Sequence, residues 1–162
     1  MIPTFIYGTA WKEDATERLV HEAIDSGFRA IDTANQRKHY YEEAVGRGIK
    51  NIKRSELWLQ TKYTYARGQD HRLPYDPDAS FTDQVNQSFA SSLEHLGTDY
   101  LDSYILHGPY EGQGISKVDL EVWAAMSLLK KSGKTKAIGV SNVQYSQLKE
   151  LYEAVDEKPV FV

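Results

Sequence analysis

Short β-like runs alternate with longer segments of helical period along this whole chain, and that alternation is what most limits its fold. The β-like runs are Ile2 to Tyr7, Phe28 to Ile31, Leu57 to Gln60, Tyr100 to Leu106 and Lys136 to Val140. Between and after them lie stretches with apolar residues three and four apart. Leu19, Val20, Ala23 and Ile24 mark the first, in a helix expected over Asp14 to Ser26, where Asp14 and Glu17 resemble a capping box. Ala44, Val45 and Ile49 mark the second, over Tyr40 to Lys50. Val85, Phe89, Leu93 and Leu96 mark the third, from Ser80 to Leu96 with Gly97 as its stop. The fourth runs from Lys117 to Ser132, with Val122, Trp123, Met126 and Leu129. The fifth runs from Tyr145 to Val155. Val160 to Val162 reads as the beginning of a sixth strand. Strands separated by helices need crossover connections, so the strands run parallel. A doubly wound sheet and a β/α barrel both satisfy this pattern. After strand one the chain reads Gly8-Thr9-Ala10-Trp11, which lacks the glycine-rich phosphate turn of the doubly wound dinucleotide folds. That favours the barrel.

The expected unit is one domain over residues 1–162, without linker or repeat beyond the βα unit. At 41% apolar and 26% charged residues the chain has the composition of a globular core with a solvated surface. Its net charge is −4 and it has no run of Lys and Arg, which argues against nucleic-acid and membrane surfaces as partners. No apolar stretch is long enough to span a bilayer, and the expected address is cytoplasmic. Cysteine is absent, so disulfides, thiolate catalysis and Cys-based metal sites are excluded.

The chemistry gathers at the strand ends. In parallel order, the strands finish at one edge in Gly8-Thr9, Asp32, Thr61-Lys62, His107 and Ser141-Asn142. That edge is where catalytic groups of β/α barrels sit. Taken singly, each residue has an ordinary explanation. Asp32 could cap a helix, Lys62 could be solvated, His107 could be a satisfied structural histidine, and Ser141-Asn142 could cap the last helix. His21, His71 and His95 are read as structural. Together, an Asp, a Lys, a His and a Tyr at one barrel mouth form a working acid–base set. The stretch 63–79 has no periodicity and exceeds the usual connection, which points to a functional loop.

Five segments carry a resemblance: GTAWK (8–12), GFRAIDTA (27–34), LWLQTK (57–62), LGTDYLDSYILHGP (96–109) and GKTKAIGVSN (133–142). In these the chain resembles the aldo-keto reductases, (β/α)8 TIM-barrel type carbonyl reductases that use NADP(H). The resemblance implies that Asp32, Tyr40, Lys62 and His107 are catalytic. It also implies that Thr9, Asp32, Ser141 and Asn142 contact the nicotinamide half of the cofactor. The implied reaction carries a hydride to an aldehyde or ketone carbon of a small molecule, with Tyr40 as the acid, Lys62 lowering its pKa, Asp32 holding Lys62, and His107 orienting the carbonyl oxygen.

The chain departs from the family pattern in three ways. The tyrosine usually lies five residues after the aspartate; here Arg37 stands there and a QRKH turn precedes Tyr40, with Tyr41 as the alternative acid. Gly108 replaces the Trp that often follows the histidine, so the pocket wall is expected from Tyr7, Trp11, Tyr63 or Tyr110. A closed barrel usually needs about 250 residues and at least about 200, against 162 here. The expected fold is therefore an incomplete barrel of about five βα units plus the start of strand six, with open edges that invite self-association. A non-catalytic module that docks a partner or a complementary half-barrel is the alternative reading. A lyase using Lys62 as a Schiff-base nucleophile is a third.

Overall fold

In the computed structural model, residues 3–162 are described. Five strands form one sheet: β1 (Tyr7–Gly8), β2 (Ala30–Asp32), β3 (Trp58–Tyr63), β4 (Leu101–Leu106) and β5 (Thr135–Val140). All pair in parallel in the order β1-β2-β3-β4-β5. A doubly wound sheet reverses direction along its strand order. This one never does, and that is the barrel arrangement. After the last helix, Phe161 bridges Gly139 in parallel, and the Val160 amide donates to the Ile138 carbonyl at 2.9 Å, where a sixth strand was expected.

Helices α1 (Thr16–Asp25), α2 (Glu42–Ile49), α3 (Phe81–Leu96), α4 (Lys117–Lys131) and α5 (Tyr145–Ala154) cover one face of the sheet. Leu59, Tyr63, Tyr104, Leu106, Ile138 and Val140 are buried with Val20, Val45, Val85, Phe89, Val122 and Met126 from the helices. Phe89 and Tyr104 meet edge to face at 5.0 Å. Every residue of β4 is buried, as a central parallel strand requires. Ser80 caps α3 by accepting from the Asp83 amide, and Gly97 ends it in the left-handed conformation at φ 62°. Ser116 and Asp119 form a capping box on α4.

Several boundaries differ from the sequence expectation. Strand one shrinks to Tyr7–Gly8 among the described residues, and Ile2 lies outside them. The Asp14–Glu17 capping box is absent. A 3-10 turn at Glu13–Ala15 enters the first helix instead, and the Thr16 hydroxyl donates to the Glu13 carbonyl at 2.6 Å. Strand three continues through Tyr63, which puts Lys62 within the ladder rather than after it. Helix two starts only at Glu42, leaving both tyrosines ahead of it. No helix among the described residues is long and apolar enough to cross a membrane.

Two glycines report on packing. A Cβ on Gly46 would lie 1.9 Å from the His95 carbonyl oxygen, where α2 crosses α3, whereas one on Gly112 meets nothing within 4 Å. Gly46→Ala is expected to lower unfolding free energy in urea by about 1–3 kcal/mol or more, and Gly112→Ala to stay within about 0.5 kcal/mol. Equal effects would refute the α2–α3 approach.

Candidate active site

β2 and β3 pair with Asp32 opposite Gln60. Side chains of a strand alternate faces, so Gln60 and Lys62 share the face of Asp32. The contacts follow from that register. Lys62 Nζ donates to Asp32 Oδ1 at 2.7 Å, to Asp32 Oδ2 at 2.6 Å and to the Thr33 carbonyl at 2.8 Å. Gln60 Nε2 donates to Asp32 Oδ1 at 2.7 Å. The side chain of Lys62 is 8% exposed and that of Asp32 20%. Burial pulls the Lys62 pKa below its ordinary value, and Asp32 works against that pull. An ammonium with this many oxygen partners is a committed cation rather than a free amine.

Tyr40 enters from the turn after β2. Its amide donates to the Gln36 carbonyl at 3.0 Å, and Gln36 Nε2 donates to the Gly68 carbonyl at 2.8 Å. Asn35 Nδ2 reaches the Ser88 carbonyl on α3 at 3.0 Å. On the other side the Trp11 amide donates to the His39 carbonyl at 2.8 Å and the two rings lie 3.8 Å apart. The inserted turn is thus pinned to three neighbouring segments. It brings the Tyr40 ring to 5.0 Å from Lys62 Nζ and 5.9 Å from the His107 ring, edge to face. Tyr41 turns elsewhere, with the Arg37 guanidinium 3.9 Å and the Arg47 guanidinium 5.3 Å from its ring. Burial first, and the Asp32 carboxylate second, push the Tyr40 phenol up to about 12. That is the reverse of the lowering expected from Lys62. The physical reason is first the burial of the phenol, which disfavours the phenolate, and then the negative charge of Asp32, which opposes that of Lys62.

His107 follows β4 directly, its amide donating to the Tyr63 carbonyl at 2.9 Å. Its Nδ1 lies 2.6 Å from Thr64 Oγ1. Burial, then the positive charge of Lys62 and of His39, pushes its pKa down to about 4, so the imidazole is neutral at neutral pH. Asn142 stands at φ 48°, and its Nδ2 donates to the His107 carbonyl at 2.7 Å, with Ser141 Oγ at 3.4 Å. Thr9 is fully buried, and its amide and hydroxyl both donate to the Asp32 carbonyl at 3.0 and 2.9 Å.

A cavity of about 220 Å³ lies beside His107, lined by Gln36, Thr64, Arg67, Gly108 and Asn142 among others. A larger one of about 730 Å³ opens at the opposite ends of the strands, among Phe28, Trp58, Asp102 and Lys136. The smaller one is bordered by His107 and Asn142 of the polar cluster, while Tyr40 lines a separate cavity of about 340 Å³ with Glu42 and His95. Of the aromatics expected at the wall, Trp11 stands exposed beside the mouth. Tyr63 is fully buried, its hydroxyl donating to Gln84 on α3. Tyr110 packs against Tyr65 and Phe81, and Tyr7 against Phe28. Gln60 and Thr64 escaped the sequence reading. The strand period flags Gln60, two residues before Lys62, but only the folded loop brings Thr64 to His107. Glu42 was missed as well. It is buried and accepts from Thr61, from Ser92 at 3.2 Å and from His95 Nδ1 at 2.9 Å. No group of three or more His, Asp or Glu side chains able to hold a metal occurs among the described residues.

Comparison with known proteins shows the family of the chain. The family described as Aldo/keto reductase family matches residues 5–162. Glyoxal reductase of Bacillus subtilis (strain 168) is 38% identical over 149 residues, covering 91% of this chain and 47% of the relative. Methylglyoxal reductase DkgA of Escherichia coli (strain K12) is 33% identical over 145 residues, covering 87% and 45%. The chain spans about half the length of the curated relatives it matches. Among solved structures, an aldo/keto reductase from Brucella melitensis superposes with a TM-score of 0.79 at 32% identity, covering 98% of this chain and 57% of that one. A Bombyx mori aldo-keto reductase in complex with NADP gives 0.76 at 30%, covering 98% and 53%.

The depressed His107 pKa has a consequence for stability. The unfolded imidazole titrates near its ordinary value of about 6.5, the folded one at about 4. Its contribution to stability is complete above the unfolded value and is lost as pH falls toward the folded one. Urea unfolding at about pH 7 and about pH 5 should show a larger loss for the wild type than for His107→Asn. Equal losses would contradict the buried neutral imidazole.

Proposed function

Because the chain belongs to the aldo/keto reductase family, we propose that it carries the catalytic half of an NADP(H)-dependent reductase of small aldehydes and ketones. The observation that carries this reading is the convergence of Tyr40, Lys62, Asp32 and His107 at one end of a parallel sheet. Relatives named glyoxal and methylglyoxal reductase support a small carbonyl substrate.

The donors and acceptors at the mouth fit a nicotinamide. A carboxamide needs one donor and one acceptor. The Ser141 hydroxyl can donate, and Asn142, whose Nδ2 serves the His107 carbonyl, can accept through Oδ1, which has no donor among the described residues. When bound, the dinucleotide supplies the hydride that reaches the carbonyl carbon. The chain's own residues do the rest. Neutral His107 donates a hydrogen bond to the carbonyl oxygen and orients it. As charge grows on that oxygen, Tyr40 gives up its phenolic proton. A phenol at about 12 remains protonated at neutral pH, which suits a donor to a strongly basic alkoxide. The positive charge of Lys62 stabilises the phenolate that the departing proton leaves behind. Asp32 keeps Lys62 charged despite burial, and Thr9 holds the Asp32 backbone in place.

The Schiff-base reading of Lys62 is disfavoured by its three acceptor contacts. A second reading, in which the unit docks a complementary half-barrel or another copy, is supported by Phe5 and Val162 at 76% and 74% exposure near the two ends of the sheet. Both readings meet one test: incubation of the chain with NADPH and a small dicarbonyl, following loss of reduced-nicotinamide absorbance. Tyr40→Phe should lower turnover by on the order of a hundredfold or more, and Tyr41→Phe should leave it within about a few-fold. Loss confined to Tyr41→Phe would reassign the acid. No nucleotide oxidation by the wild-type chain would favour the docking reading.

A further inference from the structure

The loop that follows β3, residues 64–79, is long for a connection, and its folding converges on Thr64. The Thr64 carbonyl accepts from the Tyr75 hydroxyl at 2.7 Å and from Gln69 Nε2 at 3.3 Å. The Thr64 methyl leaves no room for a side chain at Gly68, where a Cβ would lie 2.8 Å from Thr64 Cγ2. Methyl and backbone being fixed, the hydroxyl is aimed at His107 Nδ1, 2.6 Å away. We propose that Thr64 is a positioning residue that holds His107 as the tautomer protonated on Nε2.

The reasoning is a count of donors and acceptors. A neutral imidazole carries one N–H and one bare nitrogen. Thr64 is buried, and among the described residues its hydroxyl has no hydrogen-bond partner but Nδ1. If Nδ1 carried the proton, it would donate to Thr64 Oγ1 and leave the hydroxyl proton buried and unpaired, which is costly. If Nδ1 is bare, the hydroxyl donates to it and both groups are satisfied. The proton is then on Nε2, which has no protein partner among the described residues and belongs to a ring lining the 220 Å³ cavity. The depressed pKa of His107 keeps the ring in the neutral state where tautomers differ. Together, Thr64, Gly68, Gln69 and Tyr75 give the long loop a task. It makes the imidazole a hydrogen-bond donor, as the proposed role of His107 requires.

The test is imidazole 15N NMR of the histidine-labelled chain near neutral pH, with His107→Asn identifying the resonances among five histidines. The expected wild-type pattern is an acceptor-type shift at Nδ1 and a protonated shift at Nε2. Thr64→Val should abolish the preference, Gly68→Ala should weaken it by turning Thr64, and Thr64→Ser should restore it. A wild-type Nδ1 that carries the proton overturns the proposal without any variant. So does a Thr64→Val spectrum unchanged at His107. The proposal rests on His107 as the carbonyl-orienting group, and the two can fail separately. The predicted tautomer without nucleotide oxidation leaves Thr64 standing and removes the reductase reading. Turnover with the opposite tautomer does the reverse. Where turnover is present, Thr64→Val should lower kcat/KM by about tenfold, the equivalent of one lost hydrogen bond.

Discussion

The ammonium of Lys62 is the constraint on which the rest of the site depends. A charge this deeply buried persists only when its partners are fixed. Here the partners come from the end of β2, as the Asp32 carboxylate and the Thr33 carbonyl. The β2–β3 register sets their distance, and Gln60 steadies the carboxylate from the same face. Shifting that register by one residue would move Lys62 to the helix side of the sheet. Thr9 ties β1 to the backbone carbonyl of Asp32 at the end of β2, so the three strands are held together beside the buried ion pair.

Around this centre the molecule is organised as two supports. On one side the inserted turn carries Tyr40 over Lys62 while clamped by Trp11, Gly68 and Ser88. On the other the long loop holds Thr64 against His107. The two supports touch through Gln36 and Gly68. Behind them the buried Glu42, at the first turn of α2, ties that helix to Thr61 on β3 and to Ser92 and His95 on α3. Thr61 precedes Lys62 in the chain, so the helix that follows Tyr40 and the strand that bears Lys62 share an anchor. This explains how a turn lengthened relative to the family pattern still delivers its phenol to the cluster. It also explains why Tyr41, left outside the clamps, pairs with Arg37 and Arg47 instead.

Much of this was legible in the residues. Alternation of β-like and helix-like runs led to the parallel sheet, and residues at strand ends led to Asp32, Lys62 and His107. The segments of resemblance named the family that the comparisons show. Less legible were element limits set by competition between neighbouring hydrogen bonds. The first helix is entered through a 3-10 turn because Thr16 bonds the Glu13 carbonyl, whatever Asp14 and Glu17 suggest. Tyr63 looked available for the pocket, yet strand alternation sends it to α3 and sends Lys62 inward. The direction of the Tyr40 pKa is not legible either, because its largest cause is burial of the phenol, which depends on how the inserted turn packs.

By itself, then, the sequence determined the parallel βα order, the family and the residue types that gather at the mouth, since these depend on periodicity and on which residues end each strand. Tertiary structure alone decided which tyrosine meets Lys62, which hydroxyl faces His107 and which way the phenol titrates. Those outcomes depend on distances of a few ångströms between residues far apart in the chain, such as the 43 positions separating Thr64 from His107. No local pattern encodes them, because they are set only once the loops close over the sheet.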